Sequence, residues 1–192
     1  MLVMIVGLVI FLGMHSLRIF ADDWRQRQIS RFGPLRWKGV FALLSLIGIV
    51  LIVIGYSAAR QHPIVVWVPP RVLYHVAALL TLPSFILLVA ADVPRNAIKA
   101  RLGHPMLLGV KLWAFAHLLA NGMLADLILF GSFLLWAVVD FRSARRRQPA
   151  AAMQIVPTRR GTVLTVVIGV VAWVLFAFFL HKILIGVAPM HG

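Results

Sequence analysis

Six apolar stretches, each about a membrane thickness in helical length, follow one another along this chain with short polar breaks between them. Such stretches leave little choice of fold. The hydrocarbon core of a bilayer takes about 20 helical residues to cross. No water is available there, so backbone N–H and C=O groups must bond within their own segment, which selects the helix. The stretches are Met1 to Phe20, Leu35 to Ala58, Arg71 to Ala91, His104 to Asn121, Gly122 to Phe141 and Gly161 to Ile185. The expectation is an all-α integral membrane protein, a bundle of six transmembrane helices forming a single domain over 1–192.

Composition agrees. Charged residues make up 12% of the chain, against about a quarter in a soluble domain. The net charge of +14 raises a nucleic-acid partner, but no basic stretch alternates with aromatics as a strand-binding groove would. The basic residues read instead as topological anchors and contacts to anionic headgroups, so membrane lipids are expected partners and nucleic acid is not. Cysteine is absent, which removes thiolate ligation, disulfides and cysteine nucleophiles. Met1 to Phe20 has no basic residues before it and no small-residue cleavage site after it, so a retained helix is expected.

Sixteen of the nineteen lysines and arginines flank alternate breaks, and only Arg60, Arg71 and Lys182 lie on the other side. The excess puts the basic loops in the cytoplasm and both termini outside, for a multi-pass membrane protein. Asp23 to Trp37 reads as a basic loop ending in a Gly33-Pro34 turn, and Asp92 to Gly103 as another. Arg60 to Pro70 reads as an interfacial loop anchored by Trp67. Gly48 and Gly55 are expected to mark close helix packing, and Pro83 a kink.

Polar groups persisting in apolar spans are candidates for function. Residues 103–131, GHPMLLGVKLWAFAHLLANGMLADLILFG, concentrate them. Of seven histidines, His62 and His191 read as solvated, His75 as interfacial, His104 as a boundary residue, and His181 lies near the outer end of the last helix. His15 and His117 differ, because each lies several residues inside an apolar helix and needs a partner. Two such histidines facing each other across a bundle suit axial ligation of a haem iron; the alternative is that each bonds a neighbouring helix. Neither has a second histidine or a carboxylate at i+3 or i+4, so a zinc-type cluster is not indicated. His117 matches the depth of His15 if the hydrocarbon begins near Lys111. If it begins near His104, the mismatch is about 10 Å at 1.5 Å per residue, and His75 or His181 becomes the better partner.

Gly7, Phe11, His15, Arg18 and Asp22 share a helix face, and Arg18 with Asp22 is expected to pair near the surface. Asp126 is the acidic residue well inside a span, which admits a proton path. One carboxylate without an inverted repeat makes that transporter reading weak. Asp140 is expected to pair with an arginine of the basic run.

The segment LGMHSLRIF together with the 103–131 hairpin resembles the NnrU family of bacterial membrane proteins, named for its association with denitrification and nitric oxide metabolism. That family is related to the 15-cis-zeta-carotene isomerase of plants and cyanobacteria, a haem b membrane enzyme. The isomerase shares a His-Pro, a second histidine thirteen residues after the first, and a polar-Gly break; here these are His104-Pro105, His117 and Asn121-Gly122. The resemblance implies haem b as cofactor, His15 and His117 as its metal ligands, and Arg18 and Asn121 as further cofactor-binding residues. It implies a haem-dependent redox protein or isomerase acting in nitric oxide metabolism or on a lipid-soluble polyene, with respiratory or denitrification proteins as partners. The alternative is a non-enzymatic membrane module assisting assembly or regulation of a respiratory complex. Ala114 stands where the isomerase has a cysteine implicated in ligand switching, so that switch is excluded here. Met123 occupies the position after Asn-Gly where an acid is expected, with Asp126 further on. Gly103-His104-Pro105 and Gly109 also resemble membrane methyltransferases that modify prenylated cysteines. The arginine expected before that histidine and the downstream acidic pair are missing, which argues against shared chemistry.

Overall fold

The computed structural model describes residues 1–148 and 155–187; His191 and Pro149 lie outside them. The described chain is helical almost throughout, as the apolar runs require. In order come α1 (Leu2–Phe20), α2 (Asp22–Phe32), α3 (Pro34–Gln61), α4 (Arg71–Asp92), α5 (Ala97–Leu102), α6 (Pro105–Ala120), α7 (Leu124–Arg147) and α8 (Arg159–Leu175). A π-helical turn, Phe176–Leu180, then leads into α9 (His181–Ile185).

Among the described residues five helices are long and apolar enough to cross a membrane: α1, α3, α4, α7, and the run from Arg159 to Ile185. The fourth apolar stretch, α6, has 16 residues. It spans about 24 Å, short of the roughly 30 Å of hydrocarbon. Large apolar side chains such as Val53, Leu79, Leu135 and Ile183 point outward and are more than half exposed. In water that arrangement would be costly; in lipid it is the ordinary one.

The expected basic loop after the first span is instead a helix, α2. Asp22 and Asp23 occupy its first turn and Arg31 its last, each sign at the end the helix dipole favours. Gly33, with φ at +85°, ends α2, and Pro34 opens α3 from its first turn, where the missing N–H is no loss. Half of the expected loop at 92–103 is also helical. Asn96, fully buried, caps α5 by accepting the Lys99 N–H at 2.7 Å while its amide donates to the carbonyls of Ala90 and Val93. The basic run after the fifth span belongs to α7, whose last turn holds Arg145, Arg146 and Arg147.

The chain forms two compact units. The first comprises Met1–Val66 and Met123–Ser132. Its core is the α1–α3 interface, where small residues bring backbones together as Gly48 and Gly55 lead one to expect. A Cβ on Gly48 would lie 2.9 Å from the Phe11 N, and one on Gly7 would lie 2.6 Å from the Ile52 N. A Cβ on Gly55 would overlap the Met4 backbone.

The second unit comprises Trp67–Gly122 and the chain from Phe133 onward. Here α4 packs against both α6 and α8. The Ser84 hydroxyl donates to the Gly109 carbonyl at 2.8 Å, and the Trp173 indole N–H donates to Thr81 at 3.0 Å. Gly169 is held so close to α4 that a Cβ there would lie 2.7 Å from the Ile86 Cα. The Thr158 N–H donates to the Arg95 carbonyl at 2.7 Å, tying the start of α8 to the turn before α5.

Candidate functional site

His15 lies in the first unit, five residues before the end of α1, and is half-buried. Its Nδ1 is 2.7 Å from the carbonyl oxygen of Phe11, one turn back. A carbonyl only accepts, so it is Nδ1 that donates in this contact. The Phe11 ring stacks on the imidazole with centroids 4.3 Å apart, and Phe41 of α3 leans on it at 4.9 Å. Arg18, one turn further along α1, is exposed. Asp22 pairs with Arg25 at 3.2 Å. Ala21, at φ −141°, breaks the helix between Arg18 and Asp22, so the i+4 spacing does not fall on one continuous helix.

His117 lies in the second unit, half-buried near the end of α6. Its Nδ1 is 2.8 Å from the Trp113 carbonyl, again one turn back, and the Trp113 ring is 5.0 Å away. Phe133 in turn meets Trp113 edge-on at 5.6 Å. The two histidines therefore share one local arrangement, an aromatic residue at i−4 whose carbonyl oxygen accepts from Nδ1. The aromatic-x-x-x-His spacing in FLGMH and WAFAH was the sequence signal for it; His62, His75, His104 and His181 lack it.

Asn121 stands beside His117, but through the backbone. Its amide donates to the His117 carbonyl at 2.8 Å, satisfying an orphan acceptor at the end of α6. Ala114, on the turn before His117, is fully buried. Gly122 is packed so tightly that a Cβ would overlap the Trp67 carbonyl, and the Gly122 carbonyl accepts the Trp67 N–H at 3.2 Å. The expected Trp67 loop is thus pinned to the Asn-Gly break.

The remaining histidines sit at helix ends or surfaces. His104 is the residue before α6, with Nε2 2.9 Å from the Gln148 carbonyl. His181 Nδ1 is 2.6 Å from the Val187 carbonyl. His62 and His75 are exposed. Among the described residues no group of three or more His, Cys, Asp or Glu side chains is placed to hold a metal ion.

Asp126 is 3% exposed and occupies the first turn of α7, not the middle of a span. Tyr56 of α3 donates to one of its oxygens at 2.6 Å. The other accepts the Met123 N–H at 3.2 Å, the backward half of a capping box. Tyr56 was not visible as a partner, since 70 residues separate the pair. Asp140 pairs with Arg147 at 3.3 Å, an arginine of the basic run as expected.

Long apolar helices with lipid-type exteriors, carrying a few oriented polar side chains, define a multi-pass helical membrane protein. The family model described as NnrU protein matches residues 3–189, and the chain belongs to the NnrU family. No curated protein and no solved structure matches it.

Proposed function

We propose that the chain is a haem b-binding protein of the bacterial inner membrane in which His15 and His117 supply imidazole ligands to the iron. The observation that supports this most is the matched Nδ1–H bond of the two histidines to their own helices. Such a bond fixes the ring orientation, as outer-shell carbonyls do for metal-bound histidines. The donor set also fits the group, since haem iron accepts neutral imidazole and needs no thiolate. When bound, haem supplies a one-electron couple, suited to nitric oxide or nitrite metabolism or to redox-gated isomerisation of a lipid-soluble polyene. Within each unit the chain orients one ring, His15 against Phe11 and Phe41 and His117 against Trp113, and Arg18 would be a further residue toward the cofactor. Asn121 acts indirectly, by holding the turn that carries His117.

In the same reading the short α6 completes a six-span bundle with both termini periplasmic, the bilayer thinning locally around it. Asn121 and Asp126, both engaged in closing helix ends, favour the second reading, a non-enzymatic module serving a respiratory complex.

Visible absorption of the detergent-purified chain after haem supplementation separates them. A Soret band is expected in the unmodified protein and in His75→Ala, and its loss in His15→Ala and in His117→Ala. No band in the unmodified protein, or a band surviving both ligand substitutions, overturns the haem assignment. Lowered thermal stability of the double variant without any cofactor signal would support the second reading.

A further inference from the structure

In the second unit, an open groove of about 430 Å³ runs between α4, α5, α6 and α7. Five leucines and Phe115 line it, and its one charged lining residue is Lys111. That ammonium lies six residues into α6, about 9 Å along the helix, where a bare charge is costly unless paired. Its nitrogen sits 3.7 Å from the centre of the Phe141 ring, and the Arg145 guanidinium stands 5.7 Å from the same ring. Arg142 adds a like charge that acts on Lys111.

Lys111 in the groove lining thus has Arg142 and Arg145 of α7 for cationic neighbours, and among the described residues no carboxylate pairs with the three. The sequence offers five acids in all. Asp140, next to this cluster in sequence, is engaged by Arg147, Asp22 by Arg25, and Asp126 by Tyr56. A cation–π contact lowers the cost of the ammonium but supplies no counter-charge. Neither Asp23 nor Asp92 forms an ion pair with the cluster among the described residues, so an anion brought from outside the chain, attached to something that fills a leucine-lined slot, would complete it.

We propose that the groove binds one anionic phospholipid of the bilayer, its acyl chain along the leucines and its phosphate on Lys111 and Arg142. Lysine and arginine are the ordinary partners of lipid phosphates at a membrane surface, and arginine adds a planar fork that matches phosphate oxygens. The zwitterionic lipids, whose headgroup brings its own cation, are selected against by the same cluster. The site stands whether or not the protein holds haem.

Native mass spectrometry of the full chain in detergent, with added dioleoyl phosphatidylglycerol or dioleoyl phosphatidylcholine, tests this. One phosphatidylglycerol should be retained in preference to phosphatidylcholine. Lys111→Gln and Arg142→Gln should each weaken retention about fivefold, while Lys182→Gln, a cation elsewhere on the chain, should leave it unchanged. Leu134→Trp, which fills the slot and keeps every charge, should release the lipid; circular dichroism confirms that each variant is folded. Equal retention of the two lipids, or retention unaffected by both charge variants, overturns the site. So does an equal loss in Lys182→Gln, which would mean diffuse attraction. Displacement of the lipid by glycerol phosphate alone would mean a free-anion site, and unchanged retention in Leu134→Trp would mean that the groove holds no chain.

Discussion

Gly55→Ala is expected to destabilise the first unit by about 1–3 kcal/mol, the usual cost of forcing atoms into a packed interface. The effect is unusual for so small a change, and it follows from what the new methyl meets. Its nearest neighbours are the backbone nitrogen of Met4, the Met4 Cα at 2.7 Å and the Met4 Cβ at 2.9 Å. Backbone cannot swing aside as a flexible side chain can, and Met4 is fully buried, so α1 and α3 must separate. Separation loosens the neighbouring contacts too, because Gly7 and Gly48 serve the same interface at comparable range. Such dispersion contacts are the main glue between helices in lipid, where the apolar solvent removes the hydrophobic drive. Gly13→Ala is the control. It lies on α1 as well, yet among the described residues a Cβ there would meet no heavy atom within 4 Å. It should be neutral or slightly stabilising, since alanine is the better helix former by about 1 kcal/mol. Thermal unfolding in one detergent compares the two, and equal melting temperatures for Gly55→Ala and the unmodified chain would refute the close approach.

That interface was largely legible beforehand. Gly48 and Gly55 stand seven residues apart, on one helix face, in a run otherwise made of large apolar residues; small residues so placed admit a neighbour. The long helices were legible for a similar reason, since apolar length alone forces intrasegment hydrogen bonding. What escaped was set by end effects and by distant pairing. Residues 22–32 carry no apolar period, yet charges at both ends and a Gly-Pro stop make a helix of them. The shortness of α6 comes from its exit: Trp67 and Gly122 meet through the backbone, and Leu124 N–H reaches the Ile64 carbonyl at 2.8 Å. A contact between a proline-rich loop and a turn nearly sixty residues away leaves no local pattern. For the histidines, depth in an apolar run singled out His15 and His117. Their ring orientation was also in the chain, in the aromatic residue one turn before each, but spacing acquires that meaning only once the helix is seen.

Asp126→Ala is expected to cost about 1–3 kcal/mol, the penalty for leaving buried donors without an acceptor. Two donors are stranded together, the Tyr56 hydroxyl at 2.6 Å and the Met123 N–H at 3.2 Å. Both belong to the first unit, and each joins the first turn of α7 to something else: one to α3, the other to the turn before it. Asp126→Asn keeps a carbonyl oxygen for Tyr56 and should recover most of the loss. Tyr56→Phe removes the hydroxyl and leaves the carboxylate its backbone bond, so its cost should be smaller than that of Asp126→Ala. In the double variant Asp126→Ala, Tyr56→Phe no hydroxyl is stranded. Its destabilisation should therefore fall short of the sum of the singles, by the 0.5 kcal/mol or more typical, to about that precision, of residues in direct contact. Unfolding of all four proteins in the same detergent gives the coupling. A strictly additive cycle would mean that the pair contributes nothing as a pair. A proton path through Asp126 makes the opposite demand, since a carrier must be able to let its proton go, and Asp126→Asn would then keep the fold while abolishing transport. A carboxylate that closes the start of α7 and anchors α3 has a sufficient reason to be buried, and that reason is measurable as stability.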